Sequence, residues 1–285
     1  FFFDMRFRSN ISNPKLFHQF CQTLHKIYHE CVIKLDKNRI RFICRSDLVD
    51  GTQVWGSVKT SILFNSFRIE SQCNDEIYCA VNLGHLMAAI KSGEHAKDML
   101  VKLNKRGTQP VLHFSISVQS APGAASDRPR HDIWQDVPVR ILNAEQIESL
   151  RLPELSAAGV EIYLPPLKEL RSIVERMRGI SSHMELVADL AGNLTVTFQT
   201  PLLSTTTRFK NLHHPAGDGG RQPFQPDPDT KTECRVDIKR FWSFLQCSIL
   251  SPRSVLCCFV ENVALVLRVQ TFDEGNLVFY IPCLT

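Results

Sequence analysis

The order of predicted elements repeats in the two halves of the chain, and this repeat limits the fold more than any other feature. Each half shows a strand, a helix, several strands, a second helix and further strands. The helices begin near residues 15 and 83 in the first half and near 165 and 237 in the second. Most other stretches alternate apolar and polar residues and are joined by short links, which is typical of antiparallel sheets. We therefore predict an α+β protein with two similar domains.

A change in composition indicates where the two halves meet. Residues 119–136 contain Pro122, Gly123 and Pro129 among several charged residues and show little periodicity, which is typical of a connector. We predict an N-terminal domain over 5–118, an interdomain connector over 119–136 and a C-terminal domain over 137–285.

The helix predicted after Pro165 and Pro166 has the clearest two-sided pattern. Four apolar residues at helical spacing predict its buried face: Leu167, Leu170, Val174 and Met177. Cations lie outside the apolar face of every predicted helix: Lys26, Lys91, Lys168, Arg171, Arg178, Lys239 and Arg240. Lys and Arg can neutralise phosphates without reading bases. The pattern therefore favours either sequence-independent contact with DNA or an ordinary solvated surface.

Composition and motifs argue against several classes of protein. The 285 residues carry a net charge of +4 and are 44% hydrophobic, which is ordinary for a globular chain. No run of 18 apolar residues occurs, so we expect no membrane span. The ten cysteines include no C-x-x-C pair, and we predict buried, reduced thiols and no metal site. The G-x-x-x-x-G-K-[ST], G-x-G-x-x-G and G-x-S-x-G motifs are absent, so we predict neither catalytic residues nor a cofactor.

One loop keeps an enzymatic alternative open. Residues 213–231 are rich in Pro, Gly and Asp and contain the candidate metal ligands His213, His214, Asp218, Asp227 and Asp229. Solvated side chains are the simpler interpretation. A metal-dependent nuclease that uses this loop is the alternative.

Many short stretches, in a fixed order, resemble one family. They are MRFR (5–8), FNSFRIE (64–70), DEIY (75–78), DVPVRI (136–141), IYLPPLK (162–168), SIVERM (172–177), ISSHMEL (180–186), ADLAGNL (188–194), TTTRFKNL (205–212), VDIKRF (236–241) and YIPCL (280–284). Over nearly its whole length, the chain resembles the Hus-type subunit of the heterotrimeric checkpoint sliding clamp, a relative of PCNA.

The resemblance implies a DNA-clamp (PCNA-like) fold, with antiparallel sheets outside and four helices lining the inner face of a ring. It implies a non-enzymatic subunit that encircles DNA at damage sites in the nucleus, supports DNA-damage checkpoint signalling and recruits repair factors. The implied partners are two Rad-type clamp subunits, a checkpoint clamp loader, double-stranded DNA of any sequence, and DNA repair enzymes, but no membrane. A homotrimeric replication clamp is the alternative within the same fold.

The resemblance also assigns roles to particular positions. The cations of the four helices are expected to face DNA. A pocket for partner peptides is expected to involve residues of the predicted connector and of the last strand: Ile133, Trp134, Tyr280, Ile281 and Pro282. Subunit contacts are expected at edge strands near Arg106–Ser117 and Ile173–Leu186.

Overall fold

The computed structural model describes residues 5–45, 51–72, 74–118, 131–153, 156, 158–215, 231–272 and 274–284. The chain divides into two compact units. Unit 1 contains Phe1–Cys44, Trp55–Arg151 and Asp273–Gly275; unit 2 contains Arg45–Val54, Leu152–Phe272 and Asn276–Thr285. Within the described ranges, no helix is long and apolar enough to cross a membrane.

Unit 1 is built on antiparallel strands and two long helices. Its elements are β1 (Arg6–Ile11), α1 (Pro14–His25), β2 (Glu30–Leu35), β3 (Arg39–Arg45), β4 (Gln53–Lys59, most of it in this unit), α2 (Thr60–Leu63), β5 (Phe64–Glu70), β6 (Ile77–Asn82), α3 (Leu83–Ser92), β7 (Asp98–Arg106), β8 (Gln109–Val118), β9 (His131–Ile141) and α4 (Ala144–Glu148). Neighbouring strands pair in the order β5–β1–β7–β8–β9–β6–β2–β3.

Aromatic side chains hold α1 on the sheet of unit 1. Phe20 of α1 stacks on Phe42 of β3 with ring centroids 5.7 Å apart, and Phe17 meets Phe64 of β5 at 5.7 Å. All four rings are buried. Since full burial of such a side chain stabilises by about 1.5–3 kcal/mol, this cluster fixes the position of α1.

Unit 2 contains two separate sheets. Its elements are β10 (Val160–Tyr163), α5 (Leu167–Met177), β11 (His183–Asp189), β12 (Leu194–Gln199), β13 (Ser204–Phe209), β14 (Lys231–Asp237), α6 (Ile238–Leu245), a 3₁₀ helix (Gln246–Leu250), β15 (Ser254–Val260), β16 (Ala264–Gln270) and β17 (Asn276–Pro282). One sheet has the order β10–β15–β16–β17 and the other β13–β12–β11–β14.

The sheets of unit 2 bury one face against α5 and α6. In β11, Met184, Leu186 and Ala188 are buried, and the residues between them are partly exposed. Phe244 of α6 packs edge-on against Phe279 of β17, with ring centroids 5.2 Å apart. Strict alternation of this kind is typical of an antiparallel sheet that has one face in the core and one in water.

The four predicted helices are present as α1, α3, α5 and α6, and the described ranges also contain the short helices α2 and α4. Asn82 caps α3 by accepting a hydrogen bond from the backbone N–H of His85, and Asp237 caps α6 by accepting from those of Lys239 and Arg240. Such caps satisfy backbone donors that have no partner within the helix.

The predicted connector needs correction. Residues 131–136 form the first half of β9 and pair with β8; residues 119–130 lie outside the described part of the chain. Alternation within β9 buries Val137 and Val139, so this strand belongs to unit 1 and does not begin the second domain. The compact units divide after Arg151.

The predicted edge strands also need correction. Arg106–Ser117 lies largely in β8, which is paired with β7 on one side and β9 on the other. Ile173–Leu186 covers the end of α5 and part of β11, which is likewise paired on both sides. Within the described ranges, β13 pairs only with β12. Strand β9 pairs with β8 as far as Pro138 and with β6 from Val139 to Ile141.

The prediction of reduced thiols was wrong for one pair of cysteines. Cys234 of β14 and Cys283, just after β17, form a disulfide with Cα atoms 5.8 Å apart. Seven other described cysteines are free and buried. Burial raises the pKa of the Cys79 and Cys258 thiols to about 12, which keeps them protonated near neutral pH.

Candidate nucleic-acid interface

Helix α5 presents a basic side next to its buried face. Leu167, Leu170, Val174 and Met177 are buried, as the sequence predicted. Lys168 and Arg178 are exposed and Arg171 is partly exposed. Glu169 and Glu175 of the same helix are exposed too, so its charge is mixed. In the described chain, neither guanidinium group of Arg171 and Arg178 lies within ion-pair distance of a carboxylate.

Helix α6 packs beside α5 and adds further cations. Its buried residues are Ile238, Phe241, Phe244 and Leu245, which leaves Lys239 exposed and Arg240 partly exposed. The Asp237 cap fixes the backbone at Lys239 and Arg240, with N···O distances of 2.8 and 3.0 Å. Residues 168, 171, 178, 239 and 240 therefore lie on two neighbouring helices of one unit.

Trp242 lies in this basic region and was not predicted. Its indole ring has Cζ of Arg178 over it at 4.5 Å from the ring centroid and Cζ of Arg171 at 5.4 Å. These distances are within the range of cation–π interactions. The available sequence signal was the i, i+3 spacing of Lys239 and Trp242, which places both on one side of α6.

The two predicted cations of unit 1 occupy helix ends. Lys26 immediately follows α1 and Lys91 lies in the last turn of α3; both are exposed. A cation at the C-terminus of a helix is favoured by the negative end of the helix dipole. Helices α1 and α3 pack against each other, as α5 and α6 do in unit 2.

The residues predicted to form a peptide pocket all lie in strands, and they do not all face the same way. In β17, Ile281 is fully buried in the core, whereas Tyr280 and Pro282 lie on the other, partly exposed face. Ile281 is therefore a core residue. Ile133 and Trp134 lie in β9 of unit 1 and not in a loop, and the Trp134 side chain is 69% exposed.

Tyr280 lies in an apolar patch on unit 2. The patch surrounds the buried side chains of Cys258, Val260 and Val266, with partly buried neighbours packed against them: Ala158, Leu256, Val278 and Tyr280. Burial raises the pKa of the Tyr280 hydroxyl; Arg268 opposes this shift and Cys258 adds to it. The phenol therefore stays neutral and can donate a hydrogen bond at physiological pH.

A Ser–His–Asp arrangement occurs on β8 and β9. The Nδ1 atom of His113 lies 2.7 Å from Oδ1 of Asp136, and Oγ of Ser115 lies 3.2 Å from Nε2 of His113. Nucleophilic catalysis also needs free donors to hold an oxyanion. Because β8 is paired on both sides, its backbone N–H groups are used in the sheet. The arrangement is suited to linking the two strands.

The candidate metal loop lies only partly in the described chain. The backbone carbonyl of His213 accepts a hydrogen bond from the N–H of Tyr163, and Nδ1 of His214 donates to the carbonyl of Glu161 at 2.7 Å. Asp218, Asp227 and Asp229 lie outside the described residues. In the ranges that the structure describes, no three His, Cys, Asp or Glu side chains are grouped to hold a metal ion.

Comparison with known proteins decides the family. The family model described as Hus1-like protein matches residues 5–285. The chain belongs to the Hus1-like family. The Hus1-like chain is 31% identical to the checkpoint protein hus1 homolog of Dictyostelium discoideum, over 98% of the chain and 99% of that protein. It is 27% identical to the checkpoint protein HUS1 of Homo sapiens, over 99% of the chain and 100% of that protein.

Solved structures confirm the predicted fold class. The Hus1-like chain matches the proliferating cellular nuclear antigen of Entamoeba histolytica with a TM-score of 0.71 at 14% identity, covering 98% of the chain and 99% of that protein. The PCNA of Thermococcus kodakaraensis matches with a TM-score of 0.70 at 16% identity, over 98% and 100% respectively. The Hus1-like chain therefore has the DNA-clamp fold.

Proposed function

We propose that the protein is one subunit of a ring-shaped checkpoint clamp that encircles DNA at damage sites, supports DNA-damage checkpoint signalling in the nucleus and recruits repair factors. The observation that carries this proposal is the match to the Hus1-like family over residues 5–285. The curated relatives are checkpoint proteins by name, and the clamp fold is suited to a ring. The subunit acts as a platform without catalytic residues of its own.

Contact with DNA is assigned first to the basic side of α5 and α6. Lys168, Arg171 and Lys239 are the leading residues, with Arg178 and Arg240 beside them; Lys26 and Lys91 contribute from unit 1. Long cationic side chains on helices reach phosphates and leave base edges unread, so the contact tolerates any sequence. Double-stranded DNA is the ligand.

Ring contacts with two Rad-type subunits are assigned to the open strand edges. The N-terminal part of β9 and the whole of β13 have unpaired backbone groups on one side within the described ranges. Such edges pair readily with a strand from another chain. Trp134 projects from β9, and a large exposed aromatic side chain is a typical anchor for an interface.

Recruitment is assigned to the apolar patch of unit 2. Tyr280, Leu256 and Val278 pack against the same buried cluster, so a repair-enzyme peptide could bury apolar side chains there and accept one hydrogen bond from the Tyr280 hydroxyl. We assign one clamp domain to each compact unit and place the connector after β9, in the segment that contains α4; the division of the units after Arg151 supports this. A dedicated clamp loader would place the ring on DNA.

Assembly is tested by light scattering on the purified chain, alone and mixed with candidate Rad-type subunits. We expect a 32.4 kDa monomer alone and a one-to-one-to-one complex in the mixture. A stable trimer of this chain alone would instead support a homotrimeric replication clamp.

DNA contact is tested on the assembled ring with Lys168→Ala, Arg171→Ala and Lys239→Ala combined. Because each phosphate contact contributes about 0.9 to the salt slope, we expect the slope to fall by about 2.7 and affinity to fall by about 100-fold at physiological salt. The matched control removes three exposed cations of the same unit that lie outside α5, α6 and β13: Lys231→Ala, Arg253→Ala and Arg268→Ala. Equal losses in both variants would mean that net charge, and not the helix face, governs binding.

A nuclease assay with and without EDTA separates the enzymatic alternative. We expect no cleavage by the purified chain under either condition. Metal-dependent cleavage that is lost in His214→Ala or Asp229→Ala would contradict the platform role.

A further inference from the structure

Trp242 is the residue on the basic side of α5 and α6 that the charge pattern does not explain. An aromatic side chain contributes no charge, yet two guanidinium groups lie over its ring at 4.5 and 5.4 Å from the centroid. Arg171 lies in α5 and Arg178 is the residue that caps its C-terminus, seven positions or about two helical turns later. One ring of α6 therefore organises two cations that belong to another helix.

The type of contact determines what the two arginines can still bind. An ion pair with a carboxylate uses the N–H donors of a guanidinium and cancels its charge. A cation–π contact uses the face of the guanidinium plane or its charge and leaves N–H donors available. In the described part of the chain, neither Arg171 nor Arg178 forms an ion pair. Both therefore retain their charge and donors for an external anion.

The backbone that carries the ring is held in place. Phe241 and Phe244, on either side of Trp242 in sequence, are fully buried, and the carbonyl of Trp242 accepts a hydrogen bond from Nε2 of Gln246 at 3.3 Å. Long side chains lose conformational entropy when they bind, and ordering them beforehand reduces that loss. A ring that is carried by a fixed backbone and restrains two flexible arginines therefore prepares them for binding.

We propose that Arg171, Arg178 and Trp242 form a preordered phosphate site, the arginine–tryptophan site, whose ligand is the phosphodiester backbone of DNA. Arg171 and Arg178 contact the phosphates. Trp242 is a positioning residue that acts through them. This proposal rests on the proposed contact between α5 and DNA. It adds Trp242, which an interpretation based on charge alone omits.

The test uses the assembled ring and a labelled duplex, with affinity measured over a range of salt concentrations. Trp242→Leu should weaken binding about fivefold, as the loss of two modest cation–π contacts would. Trp242→Phe keeps an aromatic face and should recover most of the affinity. The matched control is Met87→Leu, at the corresponding place on α3, which should bind as the unchanged ring does. Thermal unfolding of each variant reports whether the fold is retained.

A double-mutant cycle separates positioning from a general structural role. In a background of Arg171→Ala and Arg178→Ala, Trp242→Leu should have no further effect on affinity, because it acts only through those arginines. A full fivefold loss in that background would overturn the proposal. The proposal would also be overturned if Trp242→Leu alone bound DNA as the unchanged ring does while the double arginine variant bound weakly. If the double arginine variant binds normally, the proposed DNA contact of α5 fails, and the arginine–tryptophan site fails with it.

Discussion

The helix pairs of unit 1 and unit 2 bury residues at equivalent positions, as α3 and α6 show. Counted from the caps Asn82 and Asp237, the first, fourth, seventh and eighth residues of α3 and α6 are buried. They are Leu83, Leu86, Ala89 and Ile90 in α3, and Ile238, Phe241, Phe244 and Leu245 in α6. The packing side of the repeat is thus kept even where residue sizes differ.

The exposed sides of the two pairs differ in chemistry. Counted from the first residue of each helix, Arg171 of α5 corresponds to His18 of α1, at the fifth position. Arg178, at the twelfth position and just after α5, corresponds to His25. Trp242 is the fifth residue after its cap, where α3 has Met87. Guanidinium is charged at every physiological pH, whereas imidazole gains its charge only as pH falls. At these positions, the scaffold of unit 2 therefore carries two guanidinium groups where that of unit 1 carries two imidazoles.

A cysteine three residues before each cap shows the same contrast. Cys79 of unit 1 is a free thiol whose sulfur lies 3.7 Å from the carbonyl oxygen of Ile33. Its counterpart in unit 2, Cys234, is joined to Cys283. Equivalent positions thus have a buried hydrogen-bonding thiol in one unit and a covalent link in the other.

Of the substitutions that test this contrast between the units, removal of the Cys234–Cys283 disulfide should change the free energy of unfolding most. Cys283→Ala should lower the free energy of unfolding by about 4 kcal/mol under oxidising conditions, because the bridge spans 49 residues. Cys79→Ala should cost about 1 kcal/mol, the usual effect of one substitution. Urea unfolding followed by tryptophan fluorescence measures both.

Reductant supplies the control for this experiment. Reductant converts the pair to two thiols. The free energy of unfolding of the unchanged protein should then fall to nearly that of Cys283→Ala. The same stability of the unchanged protein with and without reductant would show that Cys234 and Cys283 are not bridged in solution.

Exchange of the exposed chemistry should have a smaller effect. Arg171→His with Arg178→His gives unit 2 the side chains of unit 1. The imidazoles gain positive charge as pH falls, so duplex binding by this variant should strengthen by about tenfold between pH 8 and pH 6. Affinity measured at constant ionic strength over that interval tests this.

The reverse exchange is the matched control. His18→Arg with His25→Arg adds two permanent charges to unit 1 and should strengthen duplex binding at pH 8. If the double histidine variant binds equally at both pH values, Arg171 and Arg178 do not meet phosphates.

Short stretches of sequence were enough to predict the features that depend only on neighbouring residues. The apolar spacing of α5 and the caps of α3 and α6 are contained in short stretches, so the helices and their basic sides could be predicted. The second half of β9 was predicted as a strand from Val137, but the first half was missed. There Trp134 lies on the exposed side and Gln135 on the inner side, which breaks the apolar–polar alternation, and the pairing with β8 joins residues across the segment between them. The Cys234–Cys283 bridge and the contacts of Trp242 join residues far apart in sequence, and no spacing rule indicates them.

The two caps allow the finest comparison. Asp237 carries a negative charge at the positive end of the α6 dipole and accepts two backbone hydrogen bonds, whereas the neutral Asn82 accepts one. We expect Asp237→Ala and Asn82→Ala each to lower the free energy of unfolding by about 1 kcal/mol, with the larger loss at Asp237.

A charge swap isolates the dipole from the hydrogen bonds. Asn82→Asp keeps the cap geometry and should add about 0.5 kcal/mol at low salt, and Asp237→Asn should remove a similar amount. Both effects should shrink at high salt, since screening weakens exposed charges. If Asp237→Asn is as costly as Asp237→Ala, the charge alone holds α6, and the capping hydrogen bonds to Lys239 and Arg240 contribute nothing to stability.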